Sequence, residues 1–107
     1  MIDSTVTGTL GADEAVVRID VRGAGAVGLQ LAGTFVGTVA FEACIEDGTF
    51  VALNMVPSNS ATAATSATAT GAWSANVGGY ATVRARMDSY TSGTARVTLQ
   101  TAASGGK

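Results

Sequence analysis

Apolar and polar positions alternate along most of this chain, and the alternation is clearest between Gly33 and Val56. There Phe35, Val39, Phe41, Ala43 and Ile45 take odd positions, while Thr38, Glu42 and Glu46 take even ones. A pleated strand points successive side chains to opposite faces, so this pattern predicts a long strand with one apolar face. Glu46-Asp47-Gly48 breaks it. Asp-Gly between two apolar runs is a hairpin signal, because both residues tolerate positive φ. A second strand is expected from Thr49, carrying Phe50, Val51, Leu53 and Met55.

The same period runs through the rest. Thr5 to Leu10 reads as a short strand and Gly11-Ala12-Asp13-Glu14 as a turn. From Ala15 to Arg22, Val17, Ile19 and Val21 face one way and Arg18, Asp20 and Arg22 the other. Gly23-Ala24-Gly25 turns the chain into a third strand with Val27, Leu29 and Leu31 inward. After Pro57-Ser58-Asn59-Ser60 comes a tract of Ala, Thr and Ser over 61–70. Its β-branched threonines, and hydroxyls that compete for backbone hydrogen bonds, favour extended structure over helix. Gly71 opens a strand with Trp73, Ala75 and Val77 inward, and Gly78-Gly79 ends it. Val83, Ala85 and Met87 form the next inner row. Tyr90-Thr91-Ser92-Gly93 reads as a turn, and Ala95, Val97 and Leu99 face in from the last strand.

Eight or nine short strands spaced by Gly-rich turns, with no helical period, predict an all-β fold. The class is an antiparallel β-sandwich, jelly-roll or immunoglobulin-like. One-sided alternation favours antiparallel over parallel pairing. The expected core is Val17, Ile19, Leu29, Leu31, Val39, Phe41, Trp73, Val83, Val97 and Leu99. The 107 residues suit one domain over 1–103, with a small-residue tail at 104–107 expected to fray.

Charge changes the picture most by its distribution. Charged residues are 13% of the chain, well below the usual quarter or so. None falls between Gly48 and Val83, a run of 36 residues. A free monomer seldom leaves so much chain without solubilising charge. An interface centred on the 61–70 tract is therefore expected, with Ala61, Thr62, Ala64, Thr65, Ala67 and Thr68 as its residues. Small side chains there let two backbones approach and pair edge to edge. The net charge is −2 with no His and no basic run, which argues against nucleic acid, whose binding needs clustered Lys and Arg. No apolar run approaches the roughly 20 residues that span a bilayer, and Met1-Ile2-Asp3-Ser4-Thr5 lacks a signal-peptide start. No membrane partner is expected, and the chain is expected to stay in the cytoplasm of the producing cell or in an assembly built there.

Candidate chemistry is sparse. Without His and with one Cys, Ser-His, Cys-His and most zinc sites are excluded. Glu42 and Glu46 share a strand face and could pair as glycosidase acids, but read as solvated outer-face residues. Glu46 and Asp47 fall short of the about six to eight oxygens that calcium takes. Cys44 sits on the Glu42–Glu46 face with no cation to activate a thiol, so it reads as a small residue in a partner-covered sheet face. Gly23-x-Gly25-x-x-Gly28 matches a dinucleotide fingerprint but lacks the βαβ setting. No enzyme activity, cofactor or metal is expected. Tyr80 and Tyr90 lie at turns, as possible partner contacts. Arg84, Arg86 and Arg96 share an outer face, either as cross-strand charge pairs or as contacts to an acidic partner.

Four segments in order carry a family likeness. They are Gly33-Thr-Phe-Val-Gly-Thr-Val-Ala-Phe-Glu-Ala43, Asp47-Gly-Thr-Phe-Val-Ala-Leu-Asn54, Thr65 to Tyr80 with its Trp73-Ser-Ala-Asn-Val77, and Val83 to Leu99 with its Tyr90-Thr-Ser-Gly-Thr94. Together they resemble a small β-sandwich module that recurs in virion proteins of tailed bacteriophages, over about Thr5 to Ala103. The resemblance implies a structural role in the virion, assembled in the host cytoplasm, with no catalytic residues to carry over. It leaves capsid surface, tail and fibre open. A lone module looks more like a capsid decoration protein, an oligomer such as a trimer that binds itself and the major capsid protein or other virion proteins. A carbohydrate- or receptor-binding module of a tail or fibre is the alternative.

Overall fold

The computed structural model describes residues 4–45, 48–60 and 62–103. Glu46, Asp47, Ala61 and the 104–107 tail, all part of the sequence reading, lie outside the described residues. The described chain is all strand and turn. It comprises β1 (Thr5–Leu10), β2 (Val16–Asp20), β3 (Ala24–Cys44), β4 (Val51–Ala52), β5 (Val56–Pro57), β6 (Ser66–Ala67), β7 (Gly71–Asn76) and β8 (Thr82–Ala103).

Two of these strands set the architecture. β3 has 21 residues and β8 has 22, and they pair antiparallel along nearly their whole length, from Ala24↔Ala103 to Cys44↔Thr82. The one long strand expected from Gly33 thus begins already at Ala24, and the last two of the expected short strands are one. Leu31 to Phe35 runs on as one strand, and Tyr90 to Gly93 is ladder rather than turn. The ribbon bends where Gly33 and Gly93 take φ of 94° and 83°, flanking the Thr34↔Thr94 pair. Glycine enters this left-handed region at no Cβ cost. Beyond the bend, register shifts at Val36/Gly37 and Thr38/Val39 leave Thr91 and Asp88 of β8 as extra residues, and such bulges bend a strand further.

Folded at its middle, the ribbon contributes to both layers of an antiparallel β-sandwich. In the first layer β1 pairs with the end of β8, the start of β3 pairs with β7, and β7 with β5. In the second, β2 pairs with the start of β8, while β4 and β6 sit end to end along the far half of β3. All eight strands thus form one hydrogen-bonded sheet doubled over.

The inner faces meet in a single core. Val17, Ile19, Leu29, Leu31, Val39, Phe41, Val83, Val97 and Leu99 are all buried, as the alternation predicts. Trp73 is half-buried and packs its ring on Phe41 across the layers, centroids 5.3 Å apart and planes tilted 54°. Gly8 of β1 lies so close to Val17 of β2 that a methyl there would sit 2.7 Å from Val17 Cγ2. Only Val51 and Ala52 of the expected second hairpin strand join the ladder, yet Leu53 and Met55 are still buried. Ile45, expected inward, is 53% exposed, and Cys44, expected outward, is only 5% exposed. The parity inverts there because β3 ends at Cys44.

Candidate interaction surfaces

The uncharged stretch supplies β4, β5, β6 and β7, and so one lateral side of the sandwich. Thr62, Ala63, Thr65, Ser66, Thr68, Ala69 and Thr70 are exposed on it. The tract is extended, as predicted, but it is already partly paired within the chain. Met55 and Ala64 exchange two backbone hydrogen bonds (2.8 and 2.9 Å), Phe41 N–H donates to the Thr65 carbonyl (2.9 Å), and Ala67 faces Val39 in the ladder. Ala64 and Ala67 are therefore half-buried, and Ala67 packs on the core. Of the six proposed interface residues, Thr62, Thr65 and Thr68 face outward, while Ala61 lies outside the described residues.

The arginine row splits. β8 folds at Gly93, so Arg84 and Arg86 lie on the second layer and Arg96 on the first, beside Gln30, Ala32 and Thr98. Arg84 and Arg86 converge on Glu42. Arg84 Nε donates to Glu42 Oε1 at 2.7 Å, while Arg86 donates Nε to Oε1 at 3.1 Å and Nη2 to Oε2 at 2.9 Å. Arg86 Nη1 donates further to Asp88 at 2.9 Å and to both Glu14 oxygens, at 3.3 and 3.2 Å. The Arg84 guanidinium lies 3.8 Å from the centre of the Phe50 ring, a cation–π geometry. Glu42 is thus no solvated surface acid: its side chain is 14% exposed. Of the two sequence readings for these arginines, cross-strand pairing describes Arg84 and Arg86.

The Arg86 hydrogen bonds hold the Glu42 carboxyl below its ordinary value of 4.5, against burial, which opposes them, and with Arg84 adding to them. Glu42 in turn raises the Arg86 guanidinium. A carboxylate lowered on folding contributes stability above its unfolded pKa and loses it as pH falls through the folded one. Glu42→Gln should cost about 1–3 kcal/mol at neutral pH, because it leaves two adjacent guanidiniums without their shared anion. Melting temperatures across pH 7 to 3 should show the parent falling below pH 4.5 and the variant falling less.

The aromatic candidates separate in role. Tyr90 closes the ribbon: its hydroxyl donates to the Gly93 carbonyl at 3.0 Å, and its N–H donates to Asp13 at 2.9 Å. Tyr80 is half-buried and lines one recess with Cys44, Ile45, Thr49 and Val51. Cys44 is buried within the chain itself. Trp73 edges a shallow recess with Gly28, Gln30, Thr98 and Gln100. Among the described residues, no three of His, Cys, Asp and Glu come together to hold a metal ion. No described helix is long and apolar enough to cross a membrane.

The Glu42 cluster was not found from the sequence, although its signal was present. Glu42 on one strand and alternate arginines on another make a cluster only once the register is known.

No protein-family model matches the chain, and no curated protein does. Solved structures do. The SPBc2 prophage-derived protein YomS superposes with a TM-score of 0.75 at 17% identity, over 95% of this chain and 96% of that one. The PBSX exported protein XepA superposes with a TM-score of 0.77 at 20% identity, over 94% of this chain. The chain spans only 38% of the length of XepA. At such identities the likeness concerns the fold: this β-sandwich is an architecture also found in those two proteins.

Proposed function

We propose that this chain is a structural protein of a phage virion: a capsid decoration protein that binds the assembled shell as an oligomer and does no catalysis. A subunit that binds only the assembled shell stabilises it by mass action. One observation carries the reading: the uncharged, hydroxyl-rich lateral side from β4 to β7, whose outward residues include Thr62, Thr65 and Thr68. Depletion of charge marks interface cores. The resemblance to virion modules and the fold shared with the prophage-derived protein YomS support the setting. In this reading the partners are further copies of the chain and the major capsid protein, with neither nucleic acid nor membrane. A second reading, a carbohydrate- or receptor-binding module of a tail or fibre, draws on the shallow recess that Gly28, Gln30, Trp73, Thr98 and Gln100 line.

Thr65→Lys and Thr68→Lys test the first reading. Both positions are exposed, so folding should survive, whereas Ala64→Lys or Ala67→Lys would strain the monomer itself. Burying an unpaired ammonium is costly, so each variant should bind decoration-free particles on the order of tenfold or more weakly than the parent. Equal binding by both variants removes this face as the contact. Glycan binding that Trp73→Ala abolishes, with no particle binding by the parent, would replace the first reading by the second.

A further inference from the structure

The outer strands of the sandwich are unequally protected. β4, β5 and β6 have two residues each, and β5 ends in Pro57. Short edges and proline blunt pairing with other chains. β7 is covered in part by β5, where Ser58 N–H donates to the Ala72 carbonyl at 2.9 Å. On β2, Met87 N–H donates to the Ala15 carbonyl and Val21 N–H to the Ala81 carbonyl. Hydrogen-bonded and non-bonded pairs alternate along an antiparallel ladder. The outward backbone groups of β2 are therefore those of Val16, Arg18 and Asp20, two of them charged residues.

β1 has no such guard. Thr101 N–H donates to the Ser4 carbonyl at 2.9 Å, and the ladder continues through Thr5↔Gln100 to Leu10↔Ala95. By the same alternation Val6, Gly8 and Leu10 bond to β8. The N–H and C=O groups of Thr5, Thr7 and Thr9 then point off the edge, three donors and three acceptors in a row. Ser4 to Ala12 contains no charge and no proline. Val6, whose neighbours in parity face the core, is only half-buried, and no described strand pairs with the outer edge of β1.

We infer that the β1 edge pairs with the β1 edge of a second copy of this chain, antiparallel about a two-fold axis at Thr7. The edge is self-complementary in that register. Thr7 meets Thr7, Thr5 meets Thr9, and each pair exchanges two backbone hydrogen bonds, so every outward group finds a partner. No like charges face one another. The exposed threonine side chains form cross-strand Thr–Thr pairs, a favourable combination. Val6 lies across from the partner's Gly8, where no side chain obstructs it. This side of the molecule is remote in the strand order from the uncharged β4–β7 side, so the pairing is independent of the virion reading and needs no particle to observe it.

Sedimentation equilibrium of the purified chain over a wide concentration range provides the test. The parent should show a monomer–dimer equilibrium. Thr7→Pro removes one outward N–H from each copy while keeping the β1–β8 backbone ladder, because the Thr7 N–H does not donate to β8 and proline is tolerated with its missing N–H at an edge; of the contacts to β8 it loses the exposed Thr7–Thr98 hydroxyl pair at 3.3 Å. It should weaken association on the order of tenfold or more with the melting temperature unchanged. T5K/T9K places like charges opposite each other and should dissociate the dimer, whereas T5K/T9E places opposite charges together and should restore it. A parent that stays monomeric throughout, or a T7P variant that associates like the parent, overturns the pairing. Failure of T5K/T9E to recover what T5K/T9K loses overturns the register.

Discussion

Gly93→Ala is expected to remove about 3–5 kcal/mol of folding free energy, a large share of the roughly 5–15 kcal/mol that a domain possesses. Gly93 has a φ of 83°. An L-residue with a Cβ pays about 1–2 kcal/mol to stay there. The added carbon would also lie 2.3 Å from the Thr34 carbonyl oxygen and 2.8 Å from Phe35 Cα. Both are backbone atoms of the facing strand, so no side chain can swing aside. The ribbon must part at its bend and give up pairing around Thr34↔Thr94, at about 1 kcal/mol per hydrogen bond. Gly78→Ala is the control: its Cβ would meet nothing within 4 Å, and the change should stay within about 0.5 kcal/mol. Urea denaturation midpoints measure both. A Gly93→Ala midpoint equal to that of Gly78→Ala would show that the bend tolerates a side chain.

Phe41→Ala should cost about 3–5 kcal/mol, the range for deleting a buried aromatic. Phe41 is fully buried and sits on the far half of β3, in the second layer. Its ring packs on Trp73 of β7, in the first. The substitution therefore removes apolar contact from both layers and leaves a cavity between them. In a chain of this size each kcal/mol lowers the melting temperature by about 4–8 °C, so a fall of well over about 10 °C is expected. Trp73 is the single tryptophan, and its fluorescence should change with the loss of its ring partner. A melting temperature within a few degrees of the parent would mean that the layers close over the gap.

Burial was legible in the sequence because it is a local property of strands. Val17, Ile19 and Val21, or Val83, Ala85 and Met87, need only their own alternation to declare a face. Continuity was not legible. Gly33 and the Tyr90–Gly93 segment look like chain breaks, and each would be one if alone. They are bends because each faces the other across the ribbon, a fact about residues far apart in sequence. The same limit explains the misplaced side chains. Glu42 looked exposed on its own strand, and only the pairing of β3 with β8 brings Arg84 and Arg86 to it. Cys44 obeys the parity of the outer face, but the strand ends there and the residue is buried. Ala64 and Ala67 read as interface residues, yet Met55 and Val39 pair with them within the chain. The uncharged run, by contrast, was visible as composition, and it maps to one continuous side of the fold.

The doubled ribbon also imposes an order of events during synthesis. β1, β2 and β3 all take their main partner from β8, which follows the other described strands in the chain. Until β8 has left the ribosome, β1 and β2 have no ladder to join, whereas β3 can already pair with β4, β6 and β7. Closing a loop costs more as it lengthens, so within the β3–β8 ribbon pairing begins most cheaply at Cys44 and Thr82, where the intervening chain is shortest. It then runs through the glycine bend towards Ala24 and Ala103. The two earliest strands therefore wait, unpaired, for β8, which completes both layers.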